Sequence, residues 1–279
     1  MSEPTGIERI AEAFAAPTRA GRRAALMPYL MGGFPDLATS RAIGEAYADA
    51  GADLVELGVP FSDPLADGPV IHAAGVEALR NGATVEQVLE LGGALAPRFP
   101  VVLMCYANIV YARGFETFCA ALREHAISGL IVPDLPLEEA PELRAACDAQ
   151  GIALVPLVAP TTPPERLERI GALARGFVYA VSLVGTTGER GALDAGLADF
   201  LRRADAATEV PVAVGFGIGT PEQAAAAADA GAAGVIVGSR LVRAAGEADD
   251  PAAAVREVVA AMAAALGTPA SEPSAEPIS

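Results

Sequence analysis

The chain has 279 residues, 52% of them hydrophobic, and a formal net charge of −16 at pH 7. This composition is sufficient for a sizeable core, and the acidic balance argues against nucleic acid or an anionic membrane as a partner. All 19 basic residues are arginine, so the chain has no lysine with which to form a Schiff base. Two distant histidines and three cysteines lack the spacing of metal ligands, which argues against a metal site.

The sequence also bears on the compartment in which the protein works. No apolar run reaches the roughly 18 residues needed to span a bilayer. The first residues, MSEPTGIERIAEAF, contain acidic side chains and no apolar segment of the kind found in secretory signals. An odd number of cysteines, Cys105, Cys119 and Cys147, suits reduced thiols. We therefore expect a cytoplasmic protein.

Short apolar segments rich in β-branched residues alternate along the chain with segments of helical period. The predicted strands are 24–32, 52–59, 100–107, 129–134, 153–160, 176–182, 211–217 and 233–239. The main predicted helices are 37–51, 85–99, 114–127, 140–151, 164–174, 197–208, 221–231 and 250–267.

Strands that are apolar on both faces and separated by helices are typical of a parallel sheet covered by helices. Eight such units predict a (β/α)8 barrel, or TIM barrel, with an extra N-terminal helix over residues 6–16 at its bottom. A doubly wound open sheet is the alternative, but it usually has fewer strands and a glycine-rich turn after the first one. We expect residues 1–267 to form one barrel domain and the polar residues 268–279 to form a disordered tail.

Glycine-rich segments follow the last three predicted strands, where barrels of this type often bind phosphate. They are SLVGTTGERG at 182–191, GFGIGTPEQ at 215–223 and GSRLV at 238–242. Backbone amides in such turns and at helix N-termini bind oxyanions. The predicted phosphate ligands are Gly215, Gly217, Gly238 and Ser239, with Gly188 in a mobile lid formed by the first segment. The sequence therefore predicts a small-molecule phosphate as substrate.

The segment LVELGVPFSDPLADGP at 54–69 places carboxylates in apolar surroundings. If Glu56 points inward near the C-terminal end of the second strand, desolvation raises its pKa toward neutrality, so that it both donates and accepts protons. Asp67 follows in a loop stiffened by prolines, a spacing that suits a pair of carboxylates facing one cavity. In the alternative interpretation, Glu56 pairs with an arginine and the aspartates, Asp63 included, cap turns.

Seven motifs together resemble the tryptophan synthase alpha chain family, over about residues 6–265. They are PYLMGGFPD, VELGVPFSDPLADGPVI, MCYANIVY, VPDLPLEE, SLVGTTGERG, VGFGIGTPEQ and AGVIVGSRLV. The resemblance implies a (β/α)8 barrel that cleaves indole-3-glycerol phosphate to indole and glyceraldehyde 3-phosphate. It also implies that this chain has no cofactor of its own.

The same resemblance assigns roles to individual residues. Glu56 and Asp67 match the catalytic carboxylates, and Tyr179 lies beside them. The positions implied at the phosphate are Gly188, Gly217, Gly238 and Ser239, and those implied against the indole ring are Tyr29 and Phe216. A separate beta chain that carries pyridoxal phosphate is the implied partner, in an α2β2 tetramer. The candidate contacts with it are Asp63, Pro64 and Asn108.

The chemistry implied by the resemblance agrees with the residues present. A retro-aldol cleavage needs an electron sink, and without lysine this chain cannot form an imine. The indole ring can serve as the sink if Glu56 protonates its C3 atom and Asp67 stabilises the positive charge at N1. The sequence departs from the family at His72, where a polar residue such as glutamine is common, and at Leu183 in the lid, where some members have arginine.

Four other interpretations stay open at this point. Indole-glycerol phosphate synthase and ribulose-phosphate epimerases are also phosphate-binding barrels, but the first uses a catalytic lysine and the second use histidines at a metal. A relative within the family would work alone and release free indole. A non-catalytic barrel would only activate a beta partner, and the intact Glu56 and Asp67 count against it.

Overall fold

A computed structural model describes residues 3–181, 190–215 and 217–267, and gives only the backbone for 190–195. Strands and helices alternate through these ranges. The strands are β1 (Ala25–Met31), β2 (Val55–Gly58), β3 (Val101–Met104), β4 (Gly129–Ile131), β5 (Ala153–Val155), β6 (Leu157–Val158), β7 (Val178–Val181), β8 (Val212–Gly215) and β9 (Gly234–Val237). The α-helices are α1 (Gly6–Arg19), α2 (Leu37–Asp49), α3 (Pro69–Arg80), α4 (Val85–Leu95), α5 (Ala107–Arg113), α6 (Phe115–Glu124), α7 (Pro141–Gln150), α8 (Pro164–Leu173), α9 (Arg190–Ala206), α10 (Pro221–Asp229), α11 (Ser239–Glu247) and α12 (Pro251–Ala265).

The strands form one parallel sheet that closes on itself. Their order is β5-β4-β3-β2-β1-β9-β8-β7-β6, and the two end strands are separated in the chain by Pro156 alone. The predicted strand 153–160 is thus interrupted, because proline has no N–H to donate to a neighbouring strand. The Pro156 carbonyl still accepts a hydrogen bond of 2.9 Å from the amide of Tyr179. This arrangement confirms the predicted (β/α)8 barrel, with its fifth strand in two pieces.

Side chains along each strand alternate between the barrel interior and the surrounding helices. In β1, Ala25 and Met27 belong to the buried cluster inside the barrel, whereas Leu26 and Leu30 pack in the cluster between strands and helices. In the parallel pairing of β1 with β2, Tyr29 is opposite Glu56. Glu56 lies two positions after Leu54, which belongs to the interior cluster. The last interior-facing residues of these strands therefore lie at the carboxyl end of the barrel.

Helix α1 closes the amino-terminal end of the barrel, as predicted. It begins with a capping box in which Thr5 Oγ1 accepts from the Glu8 amide and the Glu8 carboxylate accepts from the Thr5 amide. Ile10 and Phe14 on its buried face join the interior cluster. A Cβ atom on Gly234 would lie 2.6 Å from Phe14 Cε1, so β9 needs glycine at this contact. With this end filled, the carboxyl end is left for a site.

Some features differ from the sequence predictions or lie outside the described ranges. The predicted strand 100–107 ends at Met104, and Ala107 begins the short helix α5, whose first amide donates to Asp134 Oδ1 at 2.8 Å. The tail 268–279 and lid residues 182–189 lie outside the described residues, and the domain boundary 1–267 stays a prediction. Among the described helices none is both long and apolar enough to cross a membrane.

Candidate active site

A cavity of about 420 Å³ opens at the carboxyl end of the strands. Seven of the residues predicted from the sequence line it, namely Tyr29, Glu56, Asp67, Tyr179, Gly217, Gly238 and Ser239. They come from β1, β2, β7 and the loops or helices that follow β2, β8 and β9. A second cavity of about 320 Å³ shares Pro133 and Leu157 with the first, but none of the predicted site residues lines it.

Glu56 is a buried carboxyl group that faces this cavity from β2. Its exposed fraction is 2%, and within the described residues it forms no ion pair or hydrogen bond through its side chain. The alternative pairing with an arginine is therefore not found there. Burial, assisted by the negative charge of Asp67, raises the pKa of Glu56 to about 8. At neutral pH the group is mostly protonated and can donate a proton.

Asp67 lies half-buried in the loop between β2 and α3 and is held by a hydrogen bond. Tyr106 Oη donates to Asp67 Oδ1 at 2.8 Å and accepts from the Ala66 amide at 3.0 Å. The ring of Phe61 stacks on that of Tyr106 with centroids 5.1 Å apart. Burial raises the pKa of Asp67, while the Tyr106 hydrogen bond and the nearby His72 act in the opposite direction. Tyr106 was not among the predicted site residues, although it lies in the motif MCYANIVY.

Two buried tyrosines form part of the cavity wall, and each occupies space that a glycine leaves free. A Cβ atom on Gly58 would lie 2.0 Å from Tyr29 Oη, and one on Gly215 would lie 2.4 Å from Tyr179 Oη. Gly215 was predicted at the phosphate, but it packs against Tyr179 and is not part of the cavity lining. Burial is the main cause that raises the pKa of both phenols, which stay protonated at neutral pH.

Backbone amides that are free to bind an anion are found at the start of α11. Within the described residues, the amides of Ser239 and Arg240 have no acceptor, as expected for the first turn of a helix. In the loop after β8, the amides of Gly219 and Thr220 donate to Gln223 Oε1 at 2.8 and 3.1 Å. In the predicted phosphate-binding loop after β8, two amides are thus already engaged in hydrogen bonds.

The predicted partner contacts lie outside the cavity. Asp63 and Pro64 are in the loop after β2, next to Leu65, which is 84% exposed. Asn108 is exposed on α5, one turn from Tyr111, which is 51% exposed. The hydrogen bond of 3.0 Å from the Ala66 amide to Tyr106 Oη connects the end of this loop to the residue before α5.

Three predicted positions, Gly188, Phe216 and Leu183, lie outside the described residues. His72 is exposed on α3 and does not line the cavity. Through the described part of the chain, no group of three or more His, Cys, Asp or Glu side chains is arranged to hold a metal ion.

Comparisons with known proteins identify the family. The family model described as "Tryptophan synthase alpha chain" matches residues 15–273. The chain is 43% identical over 265 residues to the tryptophan synthase alpha chain of Thermosynechococcus vestitus, covering 94% of this chain and 99% of that one. It is 48% identical over 225 residues to that of Prochlorococcus marinus, covering 79% and 81%.

Solved structures give the same result. Tryptophan synthase from Mycobacterium tuberculosis superposes with a TM-score of 0.85 at 37% identity, covering 95% of this chain and 99% of that chain. A tryptophan synthase complex from Pyrococcus furiosus has a TM-score of 0.79 at 35% identity, covering 87% and 98%. Sequence, fold and cavity agree, and the chain belongs to the tryptophan synthase alpha chain family.

Proposed function

We propose that Glu56 and Asp67 carry out in this chain the reaction of its family, the cleavage of indole-3-glycerol phosphate to indole and glyceraldehyde 3-phosphate. This is a lyase reaction of tryptophan biosynthesis. The observation that carries the proposal is a buried, unpaired Glu56 whose pKa is raised to about 8, in one cavity with Asp67. A carboxyl group with a pKa near the working pH serves as both proton donor and proton acceptor.

Glu56 acts first as an acid. It protonates C3 of the indole ring, which leaves a positive charge shared with N1. The bond between C3 and the glycerol carbon then breaks, and its electron pair neutralises the ring to give indole. The hydroxyl on the departing carbon loses its proton to the Glu56 carboxylate as the aldehyde forms. The proton count balances, because Glu56 gives one proton and regains one.

Asp67 acts on the other side of the ring, where its carboxylate stabilises the charge at N1. Two features of the structure support this role. The Tyr106 hydrogen bond at 2.8 Å favours the ionised form of Asp67 and orients it. The negative charge of Asp67 also helps to keep Glu56 protonated.

Substrate binding is divided between an apolar and a polar end of the cavity. Tyr29 and Tyr179, which line the wall beside Glu56, are suited to contact the indole ring, and we assign Phe216 to the same function. At the other end, the phosphate binds to amides near Gly217, Gly238 and Ser239, and we assign Gly188 to the same function.

We propose a beta chain with pyridoxal phosphate as the partner, in an α2β2 tetramer in the cytoplasm. Two observations support a partner at the mouth of the site. Exposed apolar side chains, Leu65 and Tyr111, lie close in sequence to the predicted contacts Asp63, Pro64 and Asn108. One solved relative is a tryptophan synthase complex. The three cysteines among the described residues are buried free thiols that form no disulfide, which suits a reducing compartment.

The decisive test replaces the two carboxyl groups one at a time. We expect Glu56→Gln to lower kcat for indole formation by about a thousandfold and Asp67→Asn by about a hundredfold, the range of acid–base and electrostatic contributions. Glu77→Gln is the matched control, because Glu77 is exposed on α3 and away from the cavity. Indole release from indole-3-glycerol phosphate is measured at saturation, with circular dichroism to check folding. Turnover retained by a folded Glu56→Gln chain would refute the role of Glu56.

The same assay separates the family's two modes of working. Addition of a purified beta chain is expected to raise indole formation and to retain the alpha chain in a pull-down. A chain with full indole release alone and no retention would instead be a stand-alone lyase.

A further inference from the structure

Two arginine side chains line the same cavity and are not needed by the chemistry described above. Arg240 and Arg243 lie on α11 and both contribute to the cavity wall beside Gly238 and Ser239. Both are exposed, and within the described residues neither forms an ion pair or a side-chain hydrogen bond. In a chain with a net charge of −16, unpaired guanidinium groups at a binding site stand out, because surface carboxylates are abundant.

The geometry of α11 directs these two side chains to the anion-binding end. They are three residues apart, which places them on one face of the helix. The opposite face is buried through Leu241, Val242 and Ala245. In a helix the Cα–Cβ bonds tilt toward the N-terminus, so both side chains leave the backbone in the direction of the first turn, and both line the cavity beside Gly238 and Ser239. That turn carries the free amides of Ser239 and Arg240.

We propose that Arg240 and Arg243 bind the phosphate group of the substrate and set the preference of this chain for a phosphate dianion. This inference rests on the proposed function and extends it, since amides alone provide only partial charges. A guanidinium group adds a full positive charge and donors whose spacing matches phosphate oxygens. Because Arg240 offers both its amide and its side chain, it is expected to contribute more than Arg243.

Binding of glycerol 3-phosphate, measured by calorimetry, tests this inference without relying on catalysis. We expect Arg240→Gln to weaken binding by about threefold to tenfold and Arg243→Gln by somewhat less, as is typical of partly exposed charge pairs. The double variant should lose more than tenfold, and its binding should depend less on salt concentration. Arg240→Lys should retain part of the affinity, because the charge remains and the planar fork is lost.

Two controls make the result specific. Arg41→Gln removes the same charge from an exposed, unpaired arginine on α2 away from the cavity, and should bind glycerol 3-phosphate within about twofold of the unmodified chain. Indole, which has no phosphate, should bind the double variant as tightly as the unmodified chain. An unmodified chain should also bind the phosphate ester more tightly above its second ionisation, near pH 6, than below it.

The possible outcomes separate this inference from the proposed function. If the double variant binds glycerol 3-phosphate as tightly as Arg41→Gln does, the arginines do not bind the phosphate and the inference is overturned. If phosphate binding depends on both arginines while the unmodified chain, with or without a beta chain, releases no indole, the inference stands and the proposed reaction fails.

Discussion

Burial of Glu56 lowers the stability of the fold and holds its carboxyl group in the neutral form that the proposed mechanism requires. A carboxyl group that is 2% exposed and lacks a charged partner among the described residues is held in its neutral form. Its position opposite Tyr29 in the β1–β2 register fixes it at the floor of the cavity. An exposed glutamate would be ionised at neutral pH and could not begin the reaction as an acid.

The pH dependence of the reaction follows from these two carboxyl groups. In the proposed mechanism Glu56 starts protonated, and its pKa is raised to about 8, so kcat/KM should fall as the pH rises above about 8. The proposed mechanism also needs Asp67 ionised, and burial raises its pKa, so kcat/KM should fall in acid at a pH above the ordinary range of aspartate. Initial rates of the isolated chain between pH 5 and 10 test both limbs. A rate that stays flat to pH 10 would contradict the assignment of Glu56.

The Tyr106→Phe variant tests how much the proposed contribution of Asp67 to catalysis depends on its orientation. The variant removes the donor that lies 2.8 Å from Asp67 Oδ1, so the pKa of Asp67 should rise and the acid limb should move to higher pH. We also expect kcat to fall by about tenfold, the size of one charge-assisted hydrogen bond.

The control for this variant is Tyr111→Phe, which removes a phenol from an exposed ring on α5. It should leave the rate of the isolated chain and both limbs unchanged. An acid limb that does not move in Tyr106→Phe would show that the hydrogen bond has no part in setting the ionisation of Asp67.

At the scale of secondary-structure elements, the amino-terminal closure is a contact between a helix and a strand. Gly234→Ala would bring a Cβ atom to 2.6 Å from Phe14 Cε1, and we expect it to destabilise the protein by about 1–3 kcal/mol through overpacking. Adding Phe14→Leu to Gly234→Ala should recover part of the lost free energy of unfolding, since the two residues are in contact. Urea unfolding measures all three variants.

Gly196→Ala on α9 is the comparison for that series, because nothing lies within 4 Å of its added Cβ atom. It should be neutral or slightly stabilising. Strict additivity of Gly234→Ala and Phe14→Leu would contradict the proposed contact.

Hydrophobic periodicity predicted the barrel and its strands, because each strand is apolar on both faces and bounded by turn residues. It did not predict α5, since MCYANIVY is as apolar as a strand and the helix start depends on Asp134, 27 residues away. Pro156 within an apolar run was also insufficient to reveal the break between β5 and β6.

Much of the candidate site was also within reach of the sequence, because strand-end carboxylates and glycines have a fixed place in a barrel. Tyr106 was missed because its hydrogen bond joins positions 39 residues apart. The position of Gly215 could not be inferred, since the sequence does not distinguish a glycine that faces a ligand from one that accommodates a ring.

For the whole molecule, Glu56 links stability to pH. Its pKa is raised from 4.5 to about 8 on folding, so between these values the folded state binds more protons than the unfolded state. The free energy of unfolding should therefore decrease as pH rises through this window and then level off. Glu56→Gln removes the effect, and its advantage over the unmodified chain should be larger at pH 8.5 than at pH 5.5.

We expect that difference to be on the order of 3 kcal/mol, from the width of the window at about 1.4 kcal/mol per pH unit. Urea titrations of both proteins at the two pH values measure it, and contributions from groups that do not interact with Glu56 cancel in the comparison. An equal advantage at both pH values would mean that Glu56 is already ionised in the folded protein at pH 5.5.

The pairing of Gly58 with Tyr29 and of Gly215 with Tyr179 constrains how this enzyme can evolve. Any side chain introduced at either glycine would overlap the tyrosine. The tyrosine would therefore have to be replaced by a smaller residue first. Replacing the tyrosine alone with a smaller residue would leave a void in the cavity wall. Single substitutions at these four positions should therefore be costly, whereas changes in the surrounding loops should be tolerated more readily.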